Sequence, residues 1–367
     1  MAKASARNRK IITDTSLAFL KQYINNASPV GFETWGQKLW LDYLRPFVDA
    51  HYVDPYGTAV GVINPDHPFK VVIEAHADEI SWFVNYINAD GLIYLKRNGG
   101  VDHQTAPASR VLIHGKKGAV KAVFGWPAIH TRMGDEKDKQ PKTENLWLDC
   151  GARNRKEVEA LGIHIGAVVT YQDGFDELAN GNYVGRAFDN RIGGFMIAEV
   201  ARLLKENRKK LSFGLYVVNA VQEEIGLRGA EMIARRIKPN IAIVTDVTHD
   251  TTTPMINKNI EGEVVTGKGP SLAYAPAVHN KLLGLVEKVA ADKNIPVQWR
   301  ALSRSTGTDT DSFAYANDGC PSVLISIPLR YMHTTVEMLH RDDIEGTIRL
   351  MYETLLTLTP KTNLSYL

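Results

Sequence analysis

Leu215-Tyr216-Val217-Val218-Asn219-Ala220-Val221-Gln222-Glu223-Glu224 is the stretch whose reading decides how this chain is built. Six of its first seven residues are apolar, several of them β-branched or aromatic, which predicts a buried strand. Gly226 and Gly229 break the run, so Glu223 and Glu224 stand at the mouth of that strand. Two carboxylates there are costly without a compensating cation. On an extended segment neighbouring side chains point opposite ways, so the pair can divide its labour. One can hold a metal while the other handles protons.

Outward from this strand the chain alternates. The spacing of Ile192, Met196, Val200, Leu203 and Leu204 predicts a helix before it, and a helix near 230–237 follows it. The strands Ile241-Ala242-Ile243-Val244 and Val323-Leu324-Ile325-Ser326-Ile327 come later, with a helix near 281–291 between them. Towards the N-terminus, helices are expected around Leu17 to Ile24 and from Gln37 to Phe47, and strands at 59–63 and 70–75. Such alternation implies an α/β fold with a mostly parallel sheet covered on both faces. Between about 78 and 173 the texture changes to short alternating runs separated by Gly-rich turns such as Asn98-Gly99-Gly100, the pattern of a small β-barrel. The expected organisation is therefore a discontinuous α/β domain, 1–77 and 174–367, with a β-rich domain, 78–173, inserted in it.

The chain has 367 residues, 44% hydrophobic and 23% charged, with a formal net charge of only +2. That is the composition of a globular protein with a substantial core, and nothing in it argues for a nucleic-acid or membrane-surface partner. No stretch approaches the roughly 18 apolar residues of a membrane span. The basic N-terminus, with Lys3, Arg7, Arg9 and Lys10, lacks the apolar core of a secretory signal and reads as a loose leader. Two cysteines, Cys150 and Cys320, build no disulfide framework, and with the missing signal they suggest the cytoplasm.

Chemistry-bearing residues follow the apolar runs. His76 and Asp78 come after Val71 to Ala75, Glu223 and Glu224 after Val221, Asp246 after Val244-Thr245, and His333 a few residues past Ile327, while Asp189 precedes a helix. Ligands of open α/β sheets bind beyond the carboxyl ends of the strands, so these distant residues can share one pocket. His76, Asp189, Glu224, Asp246 and His333 offer nitrogen and carboxylate oxygen without thiolate, a donor set suited to divalent metals. With one carboxylate bridging, two divalent ions would each have three protein contacts and keep a net positive charge, favouring hydroxide between them. Glu223 would then be the general base, and Asp78 could fix the tautomer of His76. Asp309 is either a helix N-cap or a wall of the site, and Gly307 and Thr308 are candidates for backbone contact with substrate. Arg330, Tyr331 and His249 are further candidates for the pocket rim. Lys258, Lys268, Arg304 and Arg330 are the conceivable cations for an acidic side chain.

The segments SPVGFE (28–33), AHADE (75–79), GRAFDNR (185–191), VQEEIGLRGA (221–230), TDVT (245–248), GKGP (267–270), GTD (307–309) and RYMHTTVE (330–337) together resemble a known family. It is that of the co-catalytic metallo-aminopeptidases, which includes glutamyl and deblocking aminopeptidases and the tetrahedral TET particles. The resemblance covers nearly the whole chain after the first ten or so residues. It implies a peptidase that removes N-terminal residues from peptides by means of a metal-bridging hydroxide. Two divalent ions are implied, zinc or alternatively cobalt or manganese. His76 and Asp246 would bind one, Glu224 and His333 the other, with Asp189 bridging, Glu223 as base and Asp78 as orienter. It further implies that the β-rich insertion is a dimerisation domain and that dimers build a homo-oligomer, a tetrahedral dodecamer. Two other classes compete. A glycoside hydrolase of endoglucanase type would use paired carboxylates and has no role for the two histidines. A non-catalytic, metal-stabilised scaffold would leave Glu223 idle.

Overall fold

The computed structural model describes residues 11–134 and 139–367, so the basic leader lies outside the described residues. In chain order its strands are β1 (Ala50–Val53), β2 (Ala59–Ile63), β3 (Lys70–His76), β4 (Ser81–Ile87), β5 (Ile93–Asn98), β6 (Arg110–Gly115), β7 (Gly118–Phe124), β8 (Trp147–Asp149) and β9 (Val168–Tyr171). They continue with β10 (Asp176–Glu177), β11 (Asn182–Gly185), β12 (Gly214–Ala220), β13 (Ile241–His249), β14 (Ser271–Tyr274), β15 (Gln298–Ala301), β16 (Ser322–Leu329) and β17 (Glu337–His340). The helices are α1 (Asp14–Asn25), α2 (Thr34–Leu44), α3 (Arg155–Ala160), α4 (Phe188–Glu206), α5 (Arg228–Ile237), α6 (Lys258–Glu261), α7 (Asn280–Asp292), α8 (Thr310–Ala314) and α9 (Arg341–Thr357).

The main sheet runs β1-β2-β12-β3-β13-β16-β14-β15. Its centre, β12, β3, β13 and β16, is parallel throughout, and antiparallel pairings occur only towards the edges. Strands at such a centre are covered on both faces, which is why β13 and β16 are buried almost end to end. The helix α4 packs over β3 and β13 together with α1, α2 and α9, while α5 and α8 pack against each other beside β12, β13 and β16. Phe195, Met196 and Val200 on α4 meet Val72, Ile73 and Val218 of the sheet in one apolar core.

Between β3 and the return to this sheet, β4-β5-β8-β7-β6-β9 close an antiparallel barrel. Trp82, Val84, Ile93, Val111, Ile113, Phe124 and Leu148 fill it and form an apolar cluster separate from the main core. Inward residues alternate with outward ones, as closure of a small barrel requires. The fold is thus mixed α/β, with a mostly parallel sheet and a closed barrel, as the sequence predicts. Among the described residues no helix is long and apolar enough to cross a membrane.

Two local expectations are corrected. Glu223 and Glu224 do not continue an extended segment: Gln222 turns left-handed (φ 58°) and Glu223–Ile225 is a single 3-10 turn. Asp246 does not close its strand, because β13 runs on through Val247 and Thr248 to His249. The polar residues after Val244 end the apolar run but not the backbone pairing, which continues opposite Ser326 to Leu329.

Candidate metal centre

Strand register gathers the site. His76, the last residue of β3, lies opposite Ala220, the last of β12, and Asp246 pairs with Ser326 on the neighbouring strand. The chain bends sharply where Asp189 is needed: Ala187 is left-handed (φ 59°), Asp189 itself is non-helical, and the Asp189–Asn190 peptide is cis. Asn190 anchors the bend, donating from Nδ2 to the Thr245 carbonyl (2.7 Å) and accepting from the Gly193 N–H (3.1 Å).

The five expected ligands and Glu223 converge. His76, Glu223 and Asp246 offer one set of donor atoms within 4.8 Å of one another, and Asp189, Glu224 and His333 offer a second. Asp189 faces both: its Oδ1 is 3.3 Å from His76 Nε2 and its Oδ2 is 3.2 Å from His333 Nε2. His333 Nε2 is also 3.2 Å from Glu224 Oε1, and His76 Nε2 is 3.8 Å from Glu223 Oε2 and 3.9 Å from Asp246 Oδ1. Glu224 Oε1 is buried without a hydrogen-bond partner. Donors that converge on a common space without bonding one another suit a cation between them.

The electrostatics point the same way. Burial, with the Asp246, Asp309 and Glu224 carboxylates against His76, pushes Glu223 up to about 11. Burial likewise raises Asp246 to about 7 and raises Glu224. Burial alone would lower His333, but its contacts with Asp189 and Glu224 push it up to about 12. Of the four acids at the centre only Asp189, held between the two imidazoles, falls below the usual carboxylate range despite its burial. A crowd of acids that resist ionising is what divalent cations would reverse.

Asp78 takes a place that the His-x-Asp spacing only partly foretells. Its Oδ1 is 3.4 Å from His76 Nδ1, long for a hydrogen bond, while its two oxygens accept the backbone N–H groups of Glu223 (3.0 Å) and Glu224 (3.1 Å). It therefore clamps the turn that carries both glutamates. Glu337, at the start of β17, does the same for the other side: Oε2 accepts from Asp189 N (3.0 Å) and Oε1 from His333 N (2.8 Å). Sequence reasoning missed it, although an acid four residues after His333 was the available signal.

A cavity of about 280 Å3 opens on the centre, lined among others by His249, Arg300, Thr306, Gly307, Thr308 and Met332. Arg330 and Tyr331 are not among its lining residues, and Arg330 instead donates to Asp250 Oδ2 at 2.9 Å. Asp309 sits at the N-cap position of α8 without a side-chain cap bond, and its buried carboxyl faces Glu74. The cation at the cavity wall is Arg300 on β15, which none of the four expected cations anticipated.

A family model described as M42 glutamyl aminopeptidase matches residues 57–350. The chain belongs to the M42 peptidase family. It is 32% identical over 346 residues to a lysyl aminopeptidase of Pyrococcus furiosus, covering 93% of this chain and 97% of that protein. It is 27% identical to a glutamyl aminopeptidase of Lactococcus lactis, covering 75% and 76%. Among solved structures, a TET aminopeptidase from a marine sediment archaeon of the Thaumarchaeota superposes with a TM-score of 0.90 at 30% identity, covering 95% of this chain and 97% of the other. The protein is accordingly a peptidase of the aminopeptidase class, and the M42 fold accounts for both the sheet and the barrel.

Proposed function

We propose that this M42 peptidase is a dinuclear metal-dependent aminopeptidase, with His76 and Asp246 holding one divalent ion, His333 and Glu224 the other, Asp189 shared between them and Glu223 as general base. The observation that carries this reading is Asp189, which offers one oxygen to each imidazole at nearly equal distance. When bound, the ions would polarise the scissile carbonyl and make water a nucleophile near neutral pH. The chain's own residues do the rest. Glu223, ionised once cations sit beside it, takes the water's proton on its carboxylate and passes it to the leaving amine. The clamps from Asp78 and Glu337 hold base and ligands in place, and the acidic wall favours a substrate's free α-amine. Zinc suits the nitrogen and oxygen donors, and cobalt or manganese would fit the same set.

Chelator-treated protein should release no arylamine from a panel of aminoacyl-arylamides and should regain activity when zinc, cobalt or manganese is restored. Metal-independent release, or cleavage of cellulose oligosaccharides instead, would overturn the reading. The carbohydrate alternative also leaves His76 and His333 without a task.

The cavity further supports acidic N-terminal residues as substrates. The Arg300 side chain feels Glu261 and Asp246 but makes no hydrogen bond among the described residues, and burial and Arg300 both lower the His249 imidazole beside it from its ordinary value. A half-buried guanidinium with open donors recognises a carboxylate, and such a bond is worth about 1.5–3 kcal/mol. Arg300→Ala should therefore lower kcat/KM on a glutamyl-arylamide by roughly 10- to 100-fold while sparing a leucyl-arylamide. Equal losses on both substrates would contradict the role of Arg300.

We also propose that 78–173 is a separate dimerisation domain and that dimers assemble into a tetrahedral dodecamer, in keeping with the TET-type relative. Light scattering should give a mass of twelve chains, and a monomer would refute the assembly. A cytoplasmic location accords with two cysteines that form no disulfide.

A further inference from the structure

The His333 side of the centre is completed from the barrel. His333 Nδ1 lies 3.0 Å from the carbonyl oxygen of Gly100, 233 positions earlier in the chain, in the turn that leaves β5. A carbonyl only accepts, so Nδ1 carries a proton and Nε2 is the nitrogen left to bind an ion. Nε2 faces Asp189 Oδ2 and Glu224 Oε1, both 3.2 Å away. The ring's main chain is held separately, by Glu337.

The residue type at 100 matters as much as its carbonyl. A Cβ added to Gly100 would lie 2.7 Å from both Cε1 and Nδ1 of the His333 ring, far inside contact distance. Gly100 has no left-handed backbone to require glycine, so close approach to the imidazole is the physical reason for it. Its neighbour Gly99 brings the same turn against Glu224, where an added Cβ would come within 3.4 Å of that side chain's Cβ. The imidazole cannot easily yield, since its backbone, Nδ1 and Nε2 each face a separate partner.

We infer that Gly100 is a positioning residue for His333: the barrel supplies the carbonyl that sets the tautomer and direction of this ligand, and only glycine lets it come close enough. One half of the centre is then built across the junction between barrel and sheet, while the His76 and Asp246 half belongs to the sheet alone. This inference rests on the dinuclear reading proposed above.

The test is Gly100→Ala, with zinc binding measured by equilibrium dialysis and the unfolding midpoint of the metal-free protein measured alongside. Loss of a partner that orients a ligand typically weakens metal binding about 10- to 100-fold. The second zinc equivalent should weaken by that factor, while the first stays within about threefold of wild type. In a His333→Ala background the ring that Cβ would strike is gone, so Gly100→Ala should lower neither the remaining affinity nor the unfolding midpoint as it does in wild type. Two equivalents bound with wild-type affinity would overturn the inference. So would equal weakening of both equivalents, or an equal fall in midpoint in both backgrounds, since either marks a general packing role. Wild-type protein that holds a single equivalent overturns the dinuclear reading itself, and this inference with it.

Discussion

Glu223→Gln is expected to keep both divalent ions while kcat falls about 10²- to 10⁴-fold, the span that a positioned general base contributes. The substitution preserves shape and the backbone N–H that Asp78 clamps, and removes only the proton acceptor. Metal analysis is what gives the experiment its force. Glu223 lies as close to His76 as Asp246 does, so a role as ligand and a role as base make opposite predictions for stoichiometry. A base leaves the metal count at two and abolishes the acidic limb of the kcat profile. A ligand gives up an ion. Full turnover, or one ion lost, would remove Glu223 from the role of base. Glu224, whose Oε1 points at His333 Nε2, should behave in the reverse way when changed to Gln, losing metal along with activity.

Much of this arrangement was legible because the chemistry follows apolar runs. β3, β12, β13 and β16 are buried on both faces, so their sequences are nearly unbroken in Val, Ile, Leu and Ala, and the ligands stand out where those runs falter. The barrel was legible by contrast, through short strands punctuated by glycine. Other parts left weaker traces. β15 is a four-residue edge strand with half its residues exposed, too short for a pattern, and so Arg300 was not anticipated. Asp246 looked terminal because Thr245, Thr248 and His249 interrupt the apolar pattern of a strand that nonetheless pairs to its end. Glu223 and Glu224 were expected to diverge by alternation on a strand; they diverge because a left-handed Gln222 starts a new turn and Asp78 ties its N–H groups down. Contacts such as Gly100 with His333 join residues 233 positions apart and leave no local signal at all.

Removing the metal should reverse the pH dependence of stability between about pH 5 and 8. In the metal-free chain Asp246 is pushed up to about 7 and Glu223 to about 11, above an ordinary carboxylate value near 4. A carboxyl whose folded value is raised binds its proton more tightly when folded. Its contribution is complete below the unfolded value and is lost as the pH rises through the folded one. His76 and His333 are raised as well, so their contribution is complete below about 6.5 and declines above it. Of the acids at the centre Asp189 alone is depressed, and the stability it adds is already in place above about pH 4. Across this window the metal-free protein therefore becomes less stable as the pH rises. With metal the sign changes, because the ions bind only deprotonated ligands and bind better at higher pH. At free metal about 100-fold above Kd, each ion should contribute about 2.7 kcal/mol to the folded state. Urea midpoints at pH 5, 6, 7 and 8, with and without zinc, should accordingly diverge as the pH rises. Parallel curves would mean that the buried acids do not form the metal centre, because no other group of raised acids and imidazoles among the described residues shares a single space with an ion-sized gap between them.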